Sequence, residues 1–229
     1  MSPSVAAPPR KPPDLVPLLI LLSATTGLVD AVSVLGLGKV FTANMTGNIV
    51  FLGFALAGVK GFTWTPYVTA LAIFMLGAVL GARLCQTHSR LGRRRGLMLA
   101  AVVEAILLWG AAACALVEDP PGQVLTLTMI GLTAAAMGAR NAIVRQLKVP
   151  DLTTTVLTLT LTGLAADSTA GGGDNPNAPR RIAAVLAILA GALVGGLLFR
   201  WSGLAAPLGL AGLVTLIATF GLVRDVQDT

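Results

Sequence analysis

The chain of 229 residues is 55% hydrophobic and only 11% charged, with a mean hydropathy of +0.83, a balance that excludes a water-soluble domain and places it in a membrane. Its net charge of +6 does not point to nucleic acid, because the basic residues flank apolar spans and read as a topology signal. Cys85 and Cys114 both lie inside apolar segments, which excludes a disulfide framework or a thiolate metal site and leaves them as packing residues.

Residues 1–14, with five prolines plus Arg10 and Lys11, cannot form a core and read as a disordered cytoplasmic tail. Apolar segments follow at about 15–37, 42–59, 66–87, 97–117, 123–146, 153–169, 181–200 and 204–223. The first is read as retained rather than as a secretory signal, because it carries Asp30 and has a counterpart in mid-chain.

That counterpart belongs to an internal duplication, which divides the chain into a first repeat at 15–119 and a second at 120–229. Gly27-Leu28-Val29-Asp30-Ala31 returns as Gly138-Ala139-Arg140-Asn141-Ala142, a step of 111 (138 − 27). Thr42, Thr46 and Asn48 return as Thr154, Thr158 and Thr160, a step of 112 (154 − 42). Gly77-Ala78-Val79-Leu80-Gly81 becomes Gly191-Ala192-Leu193-Val194-Gly195, and Leu116-Val117-Glu118-Asp119 becomes Leu222-Val223-Arg224-Asp225. Duplication in an apolar chain is characteristic of transporter and channel folds.

Charge decides how many segments cross. If the second and sixth enter and leave on one side, 13 of the 16 basic residues fall on the cytoplasmic face and only Lys39, Lys60 and Arg200 outside. Eight crossings with the N-terminus inside would export the 83–95 basic loop, and with the N-terminus outside would hold fewer basic residues in. Length agrees: a helix from Thr46 to Gly58 rises about 20 Å, short of a hydrocarbon core of about 30 Å. The expected fold is therefore an all-α polytopic membrane protein with six transmembrane helices, two short re-entrant half-helices and two inverted repeats. Both termini are expected in the cytoplasm.

Each half-helix begins at a threonine-rich block, Thr42-Ala43-Asn44-Met45-Thr46-Gly47-Asn48 and Thr153-Thr154-Thr155-Val156-Leu157-Thr158-Leu159-Thr160. These residues suit helix N-caps, and two N-termini facing one another would favour an anion, a carboxylate or a dipolar solute. The alternative is that they only satisfy backbone groups and pack helices. Asp30 lies about 12 Å of helix before Gly38, inside the hydrocarbon zone, as a group for a coupling proton or cation or as a hydrogen-bond partner of the half-helix cap. Its repeat partner Asn141 keeps the shape without the charge. Glu104, the other intramembrane acid, is either an ion-coupling group or the partner of an arginine, and has Leu210 or Ala211 at its repeat position. Arg140 is expected to snorkel to the cytoplasm, with a partnership with Asp30 as the alternative. Gly77-x-x-x-Gly81 and Gly191-x-x-x-Gly195 are close-packing faces or a dimer contact. Arg90 to Arg95 reads as an anchor for anionic lipid heads, and His88 stands alone without partners at metal spacing.

On these motifs, together with Phe41-Thr42-Ala43-Asn44-Met45-Thr46-Gly47-Asn48, Leu52-Gly53, Met137-Gly138 and Thr154-Thr155-Val156-Leu157-Thr158, the sequence resembles the DUF1275 (YoaK-like) family of bacterial inner-membrane proteins over nearly all of the chain after residue 14. The resemblance implies residence in a bacterial inner membrane, six spans and no assigned biochemistry. Similar proteins usually have Gln at the place of Arg140 and Gly at the place of Leu159.

The expected function is a small-solute transporter or channel-like protein. Its solute would sit between Thr42, Asn44, Thr46 and Asn48 on one side and Asn141, Thr154, Thr155, Thr158 and Thr160 on the other, with Asp30 and Glu104 coupling an ion. The alternative is a non-transporting scaffold. An enzyme is not expected, since HExxH, GxSxG, a Cys/His cluster and a P-loop are all missing from the sequence. No metal, cofactor or nucleic acid is expected; the partners are the lipid bilayer, a small solute and a second copy in a homo-oligomer.

Overall fold

The computed structural model describes residues 15–88, 93–118, 120–147, 157–175 and 177–223. Among them the regular structure is wholly helical: α1 (Val16–Gly36), α2 (Met45–Leu56), α3 (Trp64–His88), α4 (Arg93–Ala115), α5 (Gln123–Leu147), α6 (Leu157–Ala166), a short 3₁₀ turn (Thr169–Gly171), α7 (Ala178–Ser202) and α8 (Ala205–Leu222). Proline opens α1 and α7 within their first turn, where its missing N–H costs nothing. After α1, Gly38 and Lys39 take positive φ and turn the chain back. At Gly203, φ 65°, only a short break separates α7 from α8. Six helices are long and apolar enough to cross a membrane; α2 and α6 are the short ones.

Two hydrophobic clusters fix the directions of the six. One gathers Leu18 and Leu22 from the start of α1, Leu97 from the start of α4 and Ala184 from the start of α7. The same cluster takes Cys85, Leu147 and Val223 from the ends of α3, α5 and α8. The other cluster gathers the opposite termini: Leu37 after α1, Leu108 and Ala112 late in α4 and Phe199 late in α7, with Tyr67, Met129 and Leu208 early in α3, α5 and α8. Hence α1, α4 and α7 run from a near end to a far end, and α3, α5 and α8 run back. Since α1 arrives at the far end and α3 departs from it, α2 enters and leaves on one side. By the same reasoning α6 returns to the near end. Six crossings and two re-entrant half-helices result, and three crossings per half turn the second repeat upside down.

The duplication in the sequence is an exchange in space. Helix α1 packs on α7 as α5 packs on α3; α4 meets α5 as α8 meets α1; α2 lies on α3 as α6 lies on α7; and α4 meets α8. The glycines show the exchange residue by residue. A Cβ at Gly27 would strike the carbonyl of Ile188, and one at its repeat partner Gly138 would strike the carbonyl of Phe74. Gly191 lies against Ala24 as Gly77 lies against Ala135, and Gly195 against Leu28 as Gly81 against Ala139. Both Gly-x-x-x-Gly motifs are thus spent on helix contacts within one chain, where missing side chains let backbones approach. Their use here leaves them no part in a dimer contact.

The centre is formed by α1 and α5, the most buried of the crossing helices, with α3 and α7 on the outside. Met75, Leu76, Val79 and Leu80 of α3 and Leu186, Leu189 and Leu193 of α7 face outward, a surface suited to lipid tails. Polar groups gather inside instead, among them Ser23, Thr25, Thr26, Thr133, Glu104, Arg140 and Thr215.

Candidate functional site

Two polar centres hold most of the described candidate residues, apart from a third cluster in which Arg181 of α7 pairs with Asp167 and Asn175 beyond α6. The first fastens the half-helix α2. Residues between Gly38 and α2 descend without helical bonds, and their amides need partners at membrane depth. Asp30, half-buried on α1, supplies one: its Oδ1 accepts from the amides of Thr42 at 3.1 Å and Ala43 at 2.8 Å. Asn48, fully buried, supplies the other by reaching back to Phe41, accepting from its N–H at 2.9 Å and donating to its C=O at 2.6 Å. Phe51 then stacks on Phe41, its centroid 6.1 Å away, and meets Phe62 at 5.4 Å and Tyr67 at 5.8 Å, while Lys39 Nζ sits 5.2 Å from the Phe62 ring centre. Asn44 occupies the N-cap position of α2, but its side chain makes no capping bond. The N-terminal end of α2 thus already has a carboxylate of the chain's own beside it, which removes the reason for an anionic solute to settle there.

The second centre lies where four helices from both repeats converge. Arg140 of α5 is 3% exposed and Glu104 of α4 is 6% exposed. Arg140 Nε donates to Glu104 Oε2 at 3.0 Å and its Nη2 pairs with Oε1, a two-pronged ion pair. Nη2 also donates to Thr215 Oγ1 of α8 at 3.1 Å, and that hydroxyl donates to Glu104 Oε1 at 3.0 Å. Nη1 reaches α1, where Leu22 O at 2.9 Å, Thr25 Oγ1 at 2.8 Å and Thr26 Oγ1 at 3.1 Å accept from it. All three guanidinium nitrogens are engaged, and the charges cancel locally, which a buried ion pair requires to be tolerated. A narrow cleft of about 30 Å³, room for one water, reaches the pair between Leu18, Leu22, Leu97, Val144, Leu147 and Thr219.

The expected site residues are therefore divided. Asp30, Thr42 and Asn48 gather at the α2 fastening; Asn44 and Thr46 are beside it but exposed. Asn141 donates to Met137 O at 2.9 Å, Thr160 is buried and Thr158 is exposed on α6. Thr154 and Thr155 lie outside the described residues, as do residues 1–14 and Arg90. The two half-helices do not face one another: α2 packs on α3 and α6 on α7 and the 3₁₀ turn, on opposite flanks of the bundle. Nor does Arg140 snorkel; it turns inward because Glu104 is within reach across the α4–α5 contact. Glu104 is the partner of an arginine, as one of its two readings had it, and the arginine comes from α5. The residues that sequence reasoning passed over are Thr25, Thr26 and Thr215, whose only signal was a hydroxyl in an apolar span.

The family described as "Protein of unknown function (DUF1275)" matches residues 18–221. The chain is similar to the UPF0700 transmembrane protein YoaK of Bacillus subtilis (strain 168), 33% identical over 151 residues, which cover 66% of this chain. The match spans 65% of that relative's length, slightly less than two thirds. No solved structure matches the chain.

Proposed function

The chain belongs to the DUF1275 family of membrane proteins, and on that footing we propose that it moves a small solute across the bacterial inner membrane along the contact between its two repeats, past Glu104 and Arg140. One observation carries this reading: an ion pair with α1, α4, α5 and α8 all contributing to it, at the floor of a cleft from the near end. Ionisable groups inside a membrane are costly and mark solute or ion paths, and inverted repeats place such paths between the halves. With all three Arg140 nitrogens engaged, the arrangement is a closed one, and a passing polar solute would exchange bonds with the pair. Glu104 takes the ion-coupling role in this reading. Asp30, Thr42, Asn44, Thr46 and Asn48 around α2 and Thr158 and Thr160 on α6 shape the flanks, and Asn141 stays bonded within α5.

Orientation follows from charge. Arg83, Arg94, Arg95, Arg145, Arg180 and Arg181 lie toward the near end, whereas Lys39, Lys60, Arg200 and Glu118 lie toward the far end. By the positive-inside rule the near end is cytoplasmic, and both termini with it. The role is movement of a solute, not chemistry upon it.

The second reading, a scaffold, is favoured by the α2 fastening, where Asp30 and Asn48 bond to the chain's own backbone. Flux separates the two. Proteoliposomes shrunk in urea, glycerol or glycine are followed by light scattering as they reswell. Faster reswelling for at least one solute, lost in a Glu104→Leu/Arg140→Leu variant that still folds, supports transport. Equal rates for wild type, variant and empty vesicles across the panel support the scaffold.

A further inference from the structure

No helix among the described residues covers the outer face of α2. Among the described helices α2 packs on α3 alone, its Phe51 and Asn48 meeting the flanking Phe41 and Phe62, and of its twelve residues only Asn48 is buried. Thr46, Ile49, Val50 and Gly53, spaced i, i+3, i+4, i+7, form one exposed stripe with Asn44 exposed at its tip. A Cβ at Gly53 would meet nothing within 4 Å, unlike Gly27, Gly77, Gly138 and Gly191, each pressed on a neighbouring helix.

Depth makes this exposure significant. Asp30 is six residues before the end of α1, about 9 Å of rise, and it holds the amides of Thr42 and Ala43 at that level. Asn44 and Thr46 follow directly, so polar side chains and a helix start free of side-chain capping stand inside the hydrocarbon zone on the flank of the bundle. Non-helical backbone and open amides at such depth persist only against protein or water.

We propose that the α2 flank is the contact between two copies of this chain, related by a two-fold axis along the membrane normal. The stripe is self-complementary, as a two-fold contact demands, because each copy meets its own patch. Asn44 has both donors and an acceptor and Thr46 has both in one hydroxyl, so like meets like with bonds satisfied. Helix α2 carries no charge to repel its own image, and Gly53 lets the two helices cross closely. Exposed Phe54 and Leu56 extend the apolar rim toward the far end. This inference does not rest on the transport reading.

Cross-linking in native membranes tests it. In a chain carrying Cys85→Ser and Cys114→Ser, single cysteines replace Asn44, Thr46 or Gly53, with Leu193→Cys on the lipid face of α7 as control. A short bismaleimide is expected to give a dimer band for the three α2 positions and none for the control. Native mass spectrometry is expected to show wild-type dimers and a Gly53→Trp variant shifted to monomer without loss of thermal stability, since that position is open within the protomer. Monomeric wild type, or α2 cysteines that never cross-link in folded protein, overturns the proposal. Modification of Thr46→Cys by a membrane-impermeant thiol reagent without cross-linking overturns it in favour of a water-filled vestibule.

Discussion

The same scaffold holds an ion pair at one set of repeat-related positions and an apolar plug at the other. Under the exchange of repeats, Arg140 corresponds to Val29, Thr25 and Thr26 to Ala136 and Met137, and Glu104 to Leu210 or Ala211. Toward the near end these positions form the ion pair and its hydroxyls. Toward the far end Val29, Ala136, Met137 and Ala211 belong to one cluster with Leu108 and Leu208, each 1% exposed or less. Backbone symmetry has been kept while polarity has diverged. A pseudo-symmetric bundle would otherwise offer two equivalent centres; here a narrow cleft reaches the ion pair from the near end, and the repeat-related positions are filled by apolar side chains.

Breaking the ion pair should have the largest effect. Arg140→Leu alone strands Glu104 and Glu104→Leu alone strands Arg140, each expected to cost about 3–5 kcal/mol of stability because an unpaired charge is left buried. The double variant converts the centre into a second plug and is expected to recover most of that loss. Thermal unfolding of the four proteins in detergent measures both effects; additive losses would mean the two charges do not depend on each other.

Crowding the glycine contacts tests the symmetry itself. Gly27→Ala at α1–α7 and Gly138→Ala at α3–α5 are each expected to cost about 1–3 kcal/mol by overpacking, and by similar amounts. Markedly unequal losses would mean that the two contacts are not equivalent. At the α2 fastening, Asn48→Leu leaves both backbone groups of Phe41 without their partner, an expected loss of about 1–3 kcal/mol. Asp30→Asn, which makes the first repeat resemble the second at that position, should cost about 1 kcal/mol, since an amide oxygen still accepts from Thr42 and Ala43 but without charge. The smallest effect is expected for Trp109→Phe, which removes the bond from Nε1 to Gly209 O (3.1 Å) at the α4–α8 contact, about 0.5–1 kcal/mol.

Much of the architecture was legible in the sequence. The step between Gly27 and Gly138, the distribution of arginines and the shortness of the second and sixth segments together specify six crossings and an inverted repeat. What was not legible is rotation about the helix axes. In a helix that is apolar nearly all round, periodicity does not say which face turns inward, so Arg140 and Glu104, 36 residues apart on different helices, gave no sign of meeting. The placement of α2 and α6 on opposite flanks escaped for the same reason, because it depends on which faces of α3 and α7 they cover. Asp30 was legible down to one of its two readings, a bond to the cap region of the neighbouring half-helix, since a carboxylate at that depth needs donors and the nearest free amides are those of the descending chain.

The most direct measurement compares water access at the two ends. Single cysteines replace Thr219, which lines the cleft to the ion pair, and Ala211, which lies in the far plug, and an impermeant thiol reagent is added to each face of sealed membranes. A charged centre open to the cytoplasm predicts modification of Thr219→Cys from that face and none of Ala211→Cys from either. Modification at Ala211 with Thr219 silent would contradict the polarity assigned to the two ends, and silence at both in folded protein would mean that no water path reaches the ion pair.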